Sequence, residues 1–264
     1  MLKKLMRYDL QWIIGKVLSY YSAATLLIAL LARVFHALSS QAFFLHLLEK
    51  IFSGAFISCG IAILINALMR SLVCFRSTLY GDPSYLTHTL PIKRRTVFTA
   101  KALSGTVSLM FALAVSALGL AITVLTRADV WEKAKELLRQ RGTVSTLLLI
   151  CAAVVLQLVE MHFSAVFGLV LGHRREKGRI PFSILYSVLI YFAVSAAVTG
   201  LLFALSLLKP EVHALLTQPL STQEMFKMEE MRFLLAVGTV LYLLADRGLF
   251  LAARHVFCTG VDVE

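Results

Sequence analysis

RSTLYGDPSYLTHTLPIKRRTVFTAK, residues 76–101, is a polar, turn-rich stretch with long apolar runs on both sides. Gly81-Asp82-Pro83-Ser84 reads as a turn, since Gly tolerates positive φ and Pro presets its own. Tyr85 to Leu90 is a short cassette carrying Tyr and Leu, Pro91 stops it, and Lys93-Arg94-Arg95 opens the next helix. Such backbone cannot sit in hydrocarbon as an open loop, because nothing there would satisfy its N–H and C=O groups. The stretch therefore marks where the chain leaves an apolar phase, and the flanking runs are separate spans. A loop over 76–98 is long enough to be functional or disordered, and its turn residues favour order.

Working outward, six apolar spans are expected at approximately 15–36, 51–75, 99–126, 144–171, 182–208 and 233–253. Each suffices to cross a hydrocarbon core of about 30 Å, and in lipid such runs form helices. The fold class is all-α, a polytopic membrane protein of six transmembrane helices forming one domain over 1–264. Composition agrees: 59% of the 264 residues are hydrophobic and mean hydropathy is +0.81. Soluble domains hold roughly 45–50% apolar residues.

The net charge of +11 is assigned to helix ends rather than to nucleic acid. With the amino terminus inside, 16 of the 26 Lys and Arg residues fall on the inner side, including Lys3, Lys4, Arg7, Lys93, Arg94, Arg95 and Lys101. That bias places both termini in the cytosol. The four cysteines show no metal-ligand spacing and read as small packing residues. Neither a cofactor nor a metal is expected.

Leu2 to Ile14 is amphipathic, with Leu2, Met6, Leu10 and Ile13 on one face and Lys3, Lys4, Arg7 and Gln11 on the other. It suits an elbow helix lying in the membrane interface. A signal peptide fits less well, given Asp9 and an apolar run reaching Phe35. Two outer segments carry capping-box spacing, Asp129 with Glu132 and Ser221 with Glu224. Within the spans, small residues recur every four positions at Gly54, Ser58, Ala62 and Asn66, and at Ser104, Ser108, Ala112 and Ser116. Such stripes let helices approach closely and should face protein.

Glu160, near the middle of the fourth span, is the sharpest single residue, because charge at that depth is costly and usually marks a site. It shares a stripe with Ser164, Gly168 and Gly172, so its carboxyl should face the bundle interior, either bonding a neighbouring helix or handling substrate or protons. Asp246 and Arg247 should snorkel or pair locally. The turn Gly172 to Arg179 reads as a solvated basic loop. No Gly-x-x-x-x-Gly-Lys-[Ser/Thr], His-Glu-x-x-His or Gly-x-Ser-x-Gly sequence occurs, so neither ATP binding of the Walker type nor hydrolase chemistry has visible machinery in this chain, and no catalytic residue is assigned.

Tyr80, Gly81, Asp82, Tyr85, Leu86, Thr87, Thr89, Leu90 and Pro91, with the helix layout, resemble the permease subunits of ABC transporters of the ABC-2 type of Gram-positive bacteria; Pro83, Ser84 and His88 depart from that pattern. The resemblance implies a cytosolic loop that docks an ATPase subunit through Gly81, Asp82, Tyr85, Leu86, Thr87, Leu90 and Pro91. It further implies a second permease chain, identical or sister, a bacterial plasma membrane location, and export driven by ATP hydrolysis in the partner. Two rivals stand beside it: a proton-coupled carrier or channel using Glu160, and a non-transporting membrane scaffold.

The charge asymmetry makes the topology testable. Single cysteines near Lys135 and Glu224 should react with an impermeant thiol reagent added outside intact cells, and cysteines near Ser84 and Glu176 should not. Labelling at Ser84 would reverse the map.

Overall fold

A computed structural model describes residues 2–38, 43–81, 92–125, 128–139, 142–175, 177–208, 213 and 228–259, the side chains of 125, 128, 129, 137 and 228 excepted. The main elements are helices α1 (Leu2–Leu38), α2 (Phe43–Tyr80), α3 (Arg94–Leu120), α4 (Ala128–Arg139), α5 (Thr143–Gly172), α6 (Arg179–Ser206) and α7 (Met228–Thr259), with a π-helical turn over Ala121–Leu125 after α3. Six of them, all but α4, are long and apolar enough to cross a membrane. The chain is a multi-pass membrane protein. Its contacts group into two compact units, Met1–Glu136 and Leu137–Glu264.

The helices outrun the apolar spans read from sequence. α2 holds 38 residues, about 57 Å at 1.5 Å per residue, well beyond a core of about 30 Å. Arg76 to Tyr80, expected in the loop, are helical, and the next helix begins at Arg94, within the Lys93-Arg94-Arg95 run that should open it. Hydropathy falls at Arg76, but nothing breaks the helix before Gly81. Thr78 Oγ1 donates back to the Cys74 carbonyl at 2.6 Å, and the Gly81 N–H still reaches the Ser77 carbonyl at 3.2 Å. Residues 81–93 separate the last residue of α2 from the first of α3.

In the first unit, α1, α2 and α3 pack against one another. The small-residue stripe of α3 is buried at Ser104, Ser108 and Ala112, and Ser116 Oγ donates to the Gly60 carbonyl at 3.4 Å. A Cβ on Gly119 would collide with the Phe56 ring. The corresponding stripe of α2 is different at its start: Gly54 has open space where a Cβ would stand, and Ser58 is exposed. Phe75 and Phe98 meet edge to face with centroids 5.8 Å apart.

α1 is two helical pieces joined at Gly15, whose φ of 24° and ψ of −161° break the run. Glycine suits this position because a positive φ costs it little. A break leaves the last carbonyls of the first piece without helical partners. Arg70 supplies them: its Nε donates to the Ile13 carbonyl at 2.7 Å and its terminal nitrogen to the Trp12 carbonyl at 2.8 Å. A cation at a helix C-terminus also opposes the negative end of the dipole.

Asp9 and Lys101 form a contact that the sequence does not announce. Lys101 is one of the cations that the charge count puts on the inner side, and both residues are buried, with Lys101 Nζ donating to Asp9 Oδ1 at 3.0 Å and Cys74 Sγ 4.0 Å from the same oxygen. Asp9 shares a face with buried Ile13, and Lys101 stands one turn before Ser104 on the buried stripe of α3. The first piece of α1 is thus tied to α2 by Arg70 and to α3 by an ion pair.

In the second unit, α5 packs along both α6 and α7. Its buried stripe is Glu160, Ser164, Gly168 and Gly172, as the spacing implied. The two glycines permit close approach, since a Cβ on Gly168 would collide with Ser187 and one on Gly172 with Ser183. The basic turn after α5 is more than a solvated loop. Arg174 donates to the Val256 carbonyl at 2.7 Å and to Thr259 Oγ1 at 3.2 Å, capping α7, while the Arg175 guanidinium lies 4.3 Å from the Phe182 ring centroid.

Removing one partner of a buried ion pair costs about 3–5 kcal/mol, because the other charge is left uncompensated. Lys101→Met should therefore destabilise the purified protein strongly, and Asp9→Leu with Lys101→Met should recover most of the loss. Thermal unfolding and alkylation of Cys74, in a background without the other three cysteines, would read this. Equal stability of wild type and Lys101→Met would remove the ion pair from the fold's supports.

Candidate functional site

Two sites were marked in the sequence. Of the docking residues, Gly81 directly follows α2, while Asp82, Tyr85, Leu86, Thr87, Leu90 and Pro91 lie outside the described residues. So do Ser221 and Glu224 of the second capping box. α4 forms over Ala128–Arg139, with Lys135 Nζ 3.0 Å from Glu132 Oε1 and over the half-exposed Trp131 ring at 5.6 Å.

Glu160 is fully buried and central to a polar cluster. Its Oε2 accepts from Gln157 Nε2 at 3.0 Å, one turn earlier on α5, and its Oε1 accepts from Ser195 Oγ on α6 at 3.1 Å. The Gln157 amide also donates to the Tyr191 hydroxyl oxygen at 3.0 Å. Glu160 is thus held on both oxygens, by its own helix and by a neighbour.

Asp246 on α7 joins this cluster. It is only 5% exposed, neither carboxyl oxygen has a hydrogen-bond partner among the described residues, and it lies within electrostatic reach of Glu160. Tyr242, one turn earlier on α7, is within reach of Glu160, Tyr191 and Asp246. The expectation that Asp246 snorkels or pairs locally is corrected. Arg247 faces outward and exposed, whereas Asp246 falls on the stripe that continues through buried Leu249, Ala253 and Phe257. That spacing was the signal for Asp246. Gln157, Tyr191 and Ser195 gave none, since a lone polar residue in an apolar helix does not reveal which way it points.

Tyr242 also lines a cavity of about 420 Å³ among α5, α6 and α7, with Ala153, Thr199, Phe203, Gly238 and Thr239. Drug-sized ligands occupy pockets of about 300–1,000 Å³. Among the described residues no group of three or more His, Cys, Asp or Glu is arranged to hold a metal ion. His162 is buried beside Glu160 in sequence, and its ring centroid is 5.7 Å from that of Phe163.

Comparison with family models, curated proteins and solved structures finds no match to this chain.

Interhelical hydrogen bonds in membranes are worth about 0.6–2 kcal/mol. Glu160→Gln keeps the shape but meets the Gln157 amide or Ser195 with one donor too many, and should lose about 1 kcal/mol while remaining assembled. Glu160→Leu should lose more, because it removes both hydrogen bonds and leaves the half-buried Ser195 hydroxyl without that acceptor. Thermal unfolding of the two variants in detergent would rank them; a Leu variant as stable as wild type would mean that the cluster contributes nothing to the helix packing.

Proposed function

We propose that this chain is the membrane-spanning permease subunit of an ABC transporter of the ABC-2 type, an exporter driven by a separate ATPase subunit in a bacterial plasma membrane. The observation that carries the reading is the motif Tyr80-Gly81-Asp82 to Leu90-Pro91, placed between two helices that reach to its edges: α2 ends at Tyr80 and α3 begins at Arg94. A partner that moves the connection at 81–93 would therefore move α2 and α3 directly. The basic side chains Lys93, Arg94 and Arg95, all exposed, fit a cytosolic face. The partners on this reading are the ATPase, a second permease chain and the bilayer. Both termini lie in the cytosol, and the first piece of α1 is an elbow helix, braced by Arg70 and Lys101 rather than held by lipid alone.

A second reading has its own support. The burial of Glu160 and Asp246 within reach of one another suits a proton-coupled carrier, which would work without an ATPase. The two readings part on coupling.

Truncating an anchor side chain at an interface typically costs about 2 kcal/mol or more of binding. Tyr85→Ala with Leu86→Ala should leave insertion intact, abolish copurification of the ATPase and abolish ATP-dependent transport. Normal copurification and transport in the double variant would reject the docking role of this loop, and transport by the purified chain alone would favour the carrier.

A further inference from the structure

The second unit holds a feature that the docking of an ATPase does not use. Two carboxyls are buried in one layer of an apolar helix triplet, and the described cations of the three helices leave them uncompensated. α5 contains no Lys or Arg, α6 carries only Arg179 at its first position, and α7 carries Arg232, Arg247 and Arg254. Arg232 lies 3.6 Å from Glu229 near the start of α7, Arg247 is exposed, and Arg254 lies over the Phe250 ring at 5.8 Å. Glu160 at least accepts two hydrogen bonds. Among the described residues Asp246 has no hydrogen-bond partner on either oxygen, and a buried carboxyl without partners costs several kcal/mol by order of magnitude. Such groups are retained where something else completes them.

The cavity stands one helical turn away. Thr199 lines it, and Ser195, four residues earlier on α6, donates to Glu160. Tyr242 lines it, and Asp246 is four residues later on α7. Four residues rise about 6 Å, the distance from an ammonium or phosphonium centre to the edge of its apolar substituents. The lining is apolar but for Thr199, Thr239 and Tyr242, and an aromatic face attracts cations as well as apolar groups.

We propose that this cavity binds a lipophilic organic cation, its apolar body among Ala153, Phe203 and Gly238 and its positive centre toward Asp246 and Glu160 across Tyr242. The cation supplies the charge that the helices lack, and the cavity supplies the burial that selects an amphipathic molecule over a metal ion. Calling this ligand the cargo rests on the transporter reading; its binding does not.

The test is equilibrium binding of tetraphenylphosphonium to the purified full-length chain in nanodiscs, with empty nanodiscs subtracted and no ATPase present. A single saturable site is expected, and neutral triphenylphosphine oxide should compete at least tenfold more weakly than tetraphenylphosphonium itself. Asp246→Asn and Glu160→Gln should each weaken binding tenfold or more, and Gly238→Phe, which fills the cavity, should abolish it. The absence of a saturable component, or equal competition by the neutral compound, overturns the proposal on the native chain alone, whatever the variants yield. Wild-type affinity in Asp246→Asn would likewise overturn it. Failure here leaves the docking of an ATPase untouched, and loss of docking in the loop variant leaves this binding untouched.

Discussion

Hydrocarbon offers no hydrogen bonds, and from that constraint most of this molecule follows. The backbone answers with helices. Side chains answer more locally: serines and threonines bond the carbonyl one turn back, as Thr25 does with Tyr21 and Thr239 with Leu235. The harder cases are charges, and they are met in two ways. Asp9 takes the ammonium of Lys101, and the carbonyls freed at the Gly15 break take the guanidinium of Arg70. Glu160 instead takes neutral donors from Gln157 and Ser195. Among the described residues Asp246 takes neither, which is why the second unit has a place for something that is not protein.

How much of this was legible in the sequence depends on which physical signal each residue carried. The six spans rest on hydropathy, and the described residues contain six helices of suitable length and composition. Glu160 was placed inside by its four-residue stripe, because Gly168 and Gly172 bring α6 so close that the same face must be buried. Helix ends were misplaced, since hydropathy reports where lipid stops and not where backbone hydrogen bonding stops. Arg76, Ser77 and Thr78 are polar and still helical.

Burial of the charged residues follows helical phase. Asp246 reads as snorkelling from its distance to a span end, when its phase is the better guide, and the same phase accounts for the burial of Asp9 and Lys101. Lys101 is in phase with Ser104 and Ser108, Asp9 with Ile13, and Asp246 with Leu249 and Ala253, all of them buried. Partners were another matter. Nothing in one sequence says that a carboxylate at position 9 meets an ammonium at position 101, because that pairing is decided by how α1 and α3 lie together.

That same pairing sets an order of events during synthesis. Ninety-two positions separate Asp9 from Lys101, and chains emerge at about 5–20 residues per second. For roughly 5–20 s the first helical piece exists without the residue that neutralises its buried acid. Arg70 arrives sooner, so the carbonyls at the Gly15 break are covered before Asp9 is. The amino-terminal piece can settle into its native position only after α3 has begun to insert, which makes the earliest part of the chain one of the last parts of its unit to be finished.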